Sequence, residues 1–285
     1  MAGNYIVKLK EGFSTAVTDH VYTIKGFKRL SLEAVQNHAD VTPWGIARIT
    51  HRAVGSITYV YDSSAGAETC AYVINTEIYT AHSRNDHDIH VSGTTGGTTS
   101  GVAKQTKLYT VKVPDAYGSG TNSGVIAGMY FVTTDWHTRS CPNGTVANTS
   151  LGGAASLAVN TAAAKMVGAG VFLAVATGNN NANACTIGAT TSANARASYS
   201  SYGAVFDIFA PSSSILSSWI DSTAATNNIS GTSMSPTSLS SYMQNIETSD
   251  ASTGIPSGTV NLLALNSNPS GSAMEKLARS VFYKT

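Results

Sequence analysis

Ser230-Gly231-Thr232-Ser233-Met234-Ser235-Pro236 places a serine hydroxyl on a tight turn that leads into a helix. Gly231 lets the backbone turn without a Cβ clash. The helix amides after Ser233 are unpaired donors at the positive end of a dipole. A nucleophile there would be exposed, and the oxyanion it creates would be held by its own backbone N–H. Ser and Thr are also common N-caps, so the stretch alone reads equally well as a Ser/Thr-rich loop capping a helix. Partners elsewhere in the chain must decide.

Working outward, apolar runs at Thr69–Asn75, Lys107–Val113, Val146–Leu151, Val171–Thr177, Thr186–Ala189 and Phe206–Phe209 read as buried strands. Helical segments at Ser123–Thr134, at Ala154–Val167 and from Ser233 onward alternate with them. Continuous apolar strands alternating with helices predict a parallel sheet covered on both faces, an α/β fold. Such sheets carry their sites where the chain leaves the carboxyl ends of the strands. Three such places are informative: Asn75-Thr76-Glu77, Gly178-Asn179-Asn180-Asn181, and the stretch from Asn85 to Thr94 that holds His87 and His90.

Composition excludes several classes. The 285 residues are 42% hydrophobic and only 12% charged, with a net charge of +1. That is a well-packed globular composition with no charge to attract nucleic acid or an anionic membrane. No apolar run approaches the length of a membrane span. No signal peptide is read before Tyr5, where strand-like alternation begins. Three cysteines, Cys70, Cys141 and Cys185, allow one disulfide and match no zinc spacing. The sequons at Asn143, Asn148 and Asn228 would fit a secreted protein.

Residues 1–41 read as a small separate unit. Tyr5–Lys10 and Val21–Phe27 are predicted strands, Ser14–His20 a polar helix, and Ser31-Leu-Glu-Ala-Val-Gln36 the opening of a second helix capped by Ser31. The unit is too short to bury a core alone.

Taken together, these blocks resemble the subtilisin-like serine proteases, in the fungal proteinase-K-type branch. Thr42-Pro-Trp-Gly-Ile-Ala-Arg-Ile49 matches the start of the mature domain, and Tyr72-Val-Ile-Asn-Thr76 the block that carries the catalytic aspartate. Asp86-His-Asp-Ile-His-Val-Ser-Gly-Thr94 matches the block whose first histidine is the base, and Gly231-Thr-Ser-Met234 the nucleophile block. Gly258-Thr-Val-Asn-Leu-Leu-Ala264 closes the chain in the family order.

The resemblance implies a subtilisin-like parallel sheet in residues 42–285 and a truncated inhibitory propeptide, a small α+β cap, in residues 1–41. It implies peptide-bond hydrolysis with Ser233 as nucleophile, His87 as general base and Asn179 as oxyanion donor. Gly118-Ser119-Gly120 and Ser150-Leu151-Gly152 match the two backbone edges between which an extended polypeptide substrate lies. Cys70 and Cys141 match positions that pair, and Cys185 is expected to be a free, mostly buried thiol. Secretion and a monomeric state follow from the same likeness. No cofactor is expected: Asp207 matches a calcium ligand, but the loop bringing the other ligands is absent, and one carboxylate does not make a site that wants 6–8 oxygens.

Departures from the pattern bear on activity. The triad aspartate is Asn75, only twelve positions before His87 where the family has a much longer segment. An amide cannot stabilise imidazolium and can hold the ring in the wrong tautomer. Asp86 and Asp88 flank His87 but, as sequence neighbours on a helix, are not expected to face its ring. After Met234 one residue is missing, and the family's apolar helix becomes Pro236-Thr-Ser-Leu-Ser-Ser241. These losses leave three readings: an impaired endopeptidase, a catalytically dead peptide-binding protein, or a non-functional mis-spliced product.

Overall fold

A computed structural model describes residues 33–37, 42–75, 86–113, 121–154, 156–176, 186–203, 206–235, 247–249 and 252–265. The elements predicted over residues 5–27 lie outside the described residues.

Four parallel strands form the heart of the fold: β3 (Cys70–Asn75), β4 (Lys107–Lys112), β5 (Thr145–Thr149) and β6 (Phe172–Val175), in the order β4-β3-β5-β6. Each strand is joined to the next by a helix. Asp86–Gly96 (α2) follows β3, Asn122–Asp135 (α3) follows β4, and Leu157–Gly168 (α4) follows β5. A parallel bridge from Ala176 to Ile187 carries the sheet on to β7 (Thr186–Thr190) and β8 (Phe206–Pro211). Leu262–Ala264 (β12) adds in parallel beside β8, and Glu247–Ser249 (β11) closes the edge in antiparallel fashion. The hairpin of Ile215–Ser218 (β9) and Thr226–Ile229 (β10) stands apart from the sheet. The α/β architecture predicted from the alternation of apolar strands and helices is present.

Strand side chains alternate between faces, and β3 shows what each face does. Cys70, Tyr72 and Ile74 pack with Val125, Met129 and Val132 of α3 and with Val159, Ala163 and Met166 of α4. Val73 points the other way, into a cluster with Val91 of α2, Ile215 of β9 and Met234. Asn75 shares the parity of Val73, and so lies on the α2 side. Helices therefore cover both faces, and β3 is buried throughout.

The two large helices start on side-chain caps. Thr121 Oγ1 accepts from the Gly124 N–H at 3.2 Å, and Ser156 Oγ accepts from the Val159 N–H at 3.4 Å. Each cap satisfies a donor that the first turn leaves free. Cys70 and Cys141 form a disulfide, with Cα atoms 5.6 Å apart, as the resemblance implies. It ties the start of β3 to the approach to β5. Asn148 is 1% exposed, which rules out its sequon as a glycan site.

One expectation is overturned. Residues predicted to open a helix at 31–36 instead form a strand, β1 (Glu33–Asn37), paired antiparallel with β2 (Thr58–Asp62) so that Glu33 faces Asp62 and Asn37 faces Thr58. The Leu-Glu-Ala-Val-Gln run is built mostly of good helix formers, but a helix this short is marginal in isolation. The Thr-Tyr-Val-Tyr edge of β2 offers a full ladder, and tertiary pairing overrides local preference. Ahead of β2, Trp44–Ile49 (α1) packs Ile46 and Ile49 with the fully buried Tyr59 and with Val102.

Candidate active site

Asn75 ends β3 at the carboxyl edge of the sheet and is 3% exposed. Its Nδ2 lies 3.1 Å from Nδ1 of His87, the second residue of α2. The histidine ring keeps about a third of its surface open to solvent, at 32%. Short as it is, the connection between strand and helix lets the two side chains meet.

Ser233 sits on a turn fixed from several sides. The Met234 N–H donates to Gly231 O at 3.0 Å, the Ser235 N–H to Thr232 O at 3.2 Å, and the Gly231 N–H to Ser212 O at 3.1 Å. Ser235 and Ser212 bond through their hydroxyls, and buried Met234 pins the turn to the Val73 cluster. Ser233 itself is half-buried. Its carbonyl accepts from Ser150 Oγ at 3.0 Å, and the same hydroxyl lies 3.2 Å from Asn148 Oδ1.

That contact joins the parts. Ile74 and Thr149 are the last paired residues of β3 and β5, so Asn75 and Ser150 stand side by side one step beyond, on the same face. Asn75 reaches His87, and Ser150 reaches the Ser233 turn. All four residues converge on one corner of the sheet, although Ser233 and His87 share no hydrogen bond. Leu151 packs against the α3–α4 core cluster, and Gly152 is exposed. Gly118, Ser119, Gly120, Asn179 and Cys185 lie outside the described residues.

The flanking acid behaves differently from the sequence expectation. Asp88 is 1% exposed, and its Oδ1 lies 3.5 Å from His87 Nδ1. Neighbours on a helix diverge at Cβ, but an imidazole turned back toward β3 to meet Asn75 also brings Nδ1 within range of Asp88. Sequence reasoning missed this contact. Its one signal is the acid next to the histidine.

His90, one turn further along α2, has a different part. It is fully buried, its Nε2–H donates to Ile215 O at 2.8 Å, and burial pushes its pKa down to about 4. A neutral imidazole thus ties α2 to β9. Asp207 is exposed on β8, and among the described residues no group of three His, Cys, Asp or Glu side chains could hold a metal ion.

The Subtilase family model matches residues 17–243. This chain belongs to the subtilase family. A subtilisin-like serine protease, AsES, of Sarocladium strictum is 47% identical over 80% of this chain and 71% of its own. The cuticle-degrading protease of Metarhizium anisopliae is 44% identical over 85% and 76%. Proteinase R of Parengyodontium album is 40% identical over 93% and 89%. The crystal structure of a cold adapted subtilisin-like serine proteinase superposes with a TM-score of 0.68 at 30% identity, covering 80% of this chain and 99% of that one. In this subtilase the β3 group beside the histidine is a carboxamide rather than a carboxylate.

Proposed function

We propose that this chain is a serine endopeptidase working by acyl transfer at a strongly reduced rate. The observation that carries this reading is the convergence of Asn75, His87 and the Ser233 turn on one corner of the sheet. Ser233 Oγ attacks the scissile carbonyl while its proton passes to His87 Nε2. The Ser233 N–H and, by family likeness, the Asn179 amide donate to the oxyanion. Collapse of the tetrahedral intermediate breaks the C–N bond, and the departing amine takes the proton from His87. Water then repeats the sequence on the acyl-serine, and His87 returns the proton to Ser233.

An extended polypeptide would lie as an added strand between Gly118-Ser119-Gly120 and Ser150-Leu151-Gly152, a mode that reads main chain and tolerates many side chains. No metal enters any step, and the chain is taken to act as a monomer. The Cys70–Cys141 disulfide supports secretion, since such bonds persist in oxidising compartments.

A specific contact favours a second reading, a peptide-binding protein without turnover. When Asn75 Nδ2 donates to Nδ1, a neutral His87 carries its proton on Nε2 and cannot accept one from Ser233. A fluorophosphonate probe separates the two. Covalent labelling mapped to Ser233, lost in Ser233→Ala, with slow cleavage of a chromogenic peptide supports the enzyme. Peptide binding with neither labelling nor cleavage supports the second reading.

A further inference from the structure

His87 Nδ1 faces two groups of opposite character. Asn75 Nδ2, at 3.1 Å, is a donor and Asp88 Oδ1, at 3.5 Å, is an acceptor. One ring nitrogen serves only one of them at a time, because it carries either a proton or a lone pair in the ring plane. The choice fixes which end of the ring can act. With Nδ1 bare, the proton sits on Nε2 and the base is blocked. With Nδ1–H donated to a carboxylate, Nε2 carries the lone pair and is able to accept a proton.

We propose that Asp88 is the positioning residue for His87, standing in for the missing triad acid: it accepts the Nδ1–H and supports the imidazolium that forms during acyl transfer. Three observations converge on it. The carboxylate is 1% exposed, so little solvent screens its field at Nδ1. It lies in the first turn of α2, the same turn that carries His87. Its approach to Nδ1 is long for a hydrogen bond, as unliganded catalytic contacts often are before substrate closes them. A half-turn of the Asn75 carboxamide presents Oδ1 instead of Nδ2; that oxygen can accept the same Nδ1–H, so the response to Asp88→Asn is what separates the two acceptors. The carboxylate has moved from the strand end to the helix and still reaches the same nitrogen.

This rests on the proposed acyl-transfer reading for its purpose but not for its test. The primary measurement is nitrogen NMR of ring-labelled histidine in the full chain, carried out on Ser233→Ala to prevent turnover. The neutral His87 ring is expected in the Nδ1–H form. Asp88→Asn is expected to move it to the Nε2–H form, and Asp88→Glu to restore at least part of the original signal. A helix-capping role alone would lower the melting temperature in Asp88→Asn and leave the tautomer unchanged.

Activity supplies the second arm. Asp88→Asn is expected to lower kcat by at least about tenfold in the native chain, yet to change it less than about twofold once Asn75→Asp has supplied another acceptor. An Nε2–H tautomer in the chain with native Asp88, or a tautomer indifferent to Asp88→Asn, overturns the proposal. Should Asp88→Asn not fold, Asp88→Ser takes its place in the same tautomer measurement. Absence of any hydrolysis would sink the endopeptidase reading, while the ring tautomer would still report on Asp88.

Discussion

Replacing Asn75 by aspartate puts a full negative charge where a neutral amide now lies 3.1 Å from His87 Nδ1. Opposite charges about 4 Å apart near a protein surface attract by about 4 kcal/mol at an effective dielectric constant of 20. Applied to the imidazolium of the transition state, that is about 10³ in rate. The wrong tautomer adds to the penalty, and in subtilisin loss of the triad aspartate costs about 3 × 10⁴ in kcat. Asn75→Asp is therefore expected to raise kcat by about 10³ to 10⁴, nearer the lower figure if Asp88 already carries part of the load. KM should stay within about threefold, because the change acts on the transition state rather than on ground-state binding. The assay is cleavage of a chromogenic peptide at mildly alkaline pH, with the concentration of competent sites fixed by fluorophosphonate titration. A gain below about tenfold, in a folded variant whose Ser233 is fully labelled, would refute the weight placed on Asn75.

Opening the Cys70–Cys141 bridge frees a loop with a sequence separation of 71. Chain entropy puts the loss of stability at about 4 kcal/mol, and guanidinium unfolding of Cys70→Ala/Cys141→Ala should show it; a loss below about 1 kcal/mol would contradict that figure. Gly128→Ala would ordinarily steady a helix interior by about 1 kcal/mol, but a Cβ there would clash with Val113 Cγ1. Overpacking of about 1–3 kcal/mol should win, so the melting temperature is expected to fall, and a rise would show that Val113 moves aside. His90 stays neutral in the fold down to about pH 4 but titrates near 6.5 when unfolded. Between those values the unfolded chain binds a proton that the folded chain does not, so stability rises with pH. Urea titrations should show a loss of about 3 kcal/mol from this group between neutral pH and pH 4, with a flatter profile in His90→Asn.

Much of the sheet was legible because strands buried on both faces leave long apolar runs, as in Ala71-Tyr-Val-Ile74 and Phe172-Leu-Ala-Val175. The helices Asn122–Asp135 and Leu157–Gly168 were legible to within a few residues at each end, whereas their caps at Thr121 and Ser156 show only in the structure. The strand at Glu33–Asn37 was not legible, since its identity depends on a partner more than twenty positions away and local preference points elsewhere. The β9–β10 hairpin was missed for a similar reason: its polar residues carry no strand pattern of their own. At the site, residue types announced Asn75, His87 and Ser233, whereas the Asp88 contact depends on a ring orientation that spacing rules do not encode. The Ser150 link to the Ser233 carbonyl needed the β3–β5 register.

Pairing of β1 with β2 decides what a cut ahead of residue 42 would expose. Removing everything before residue 42, as for a leader discarded after folding, would take away all five residues of β1 and strip β2 of its ladder. The row of amide and carbonyl groups left along β2 would then be an unprotected edge, the kind that recruits strands from other chains. A cut after Asn37 has a milder outcome. The clipped piece can remain seated by its backbone bonds, so the nick alters the covalent chain while the folded body keeps its contour. On a denaturing gel such a product runs shorter; in native sedimentation it does not.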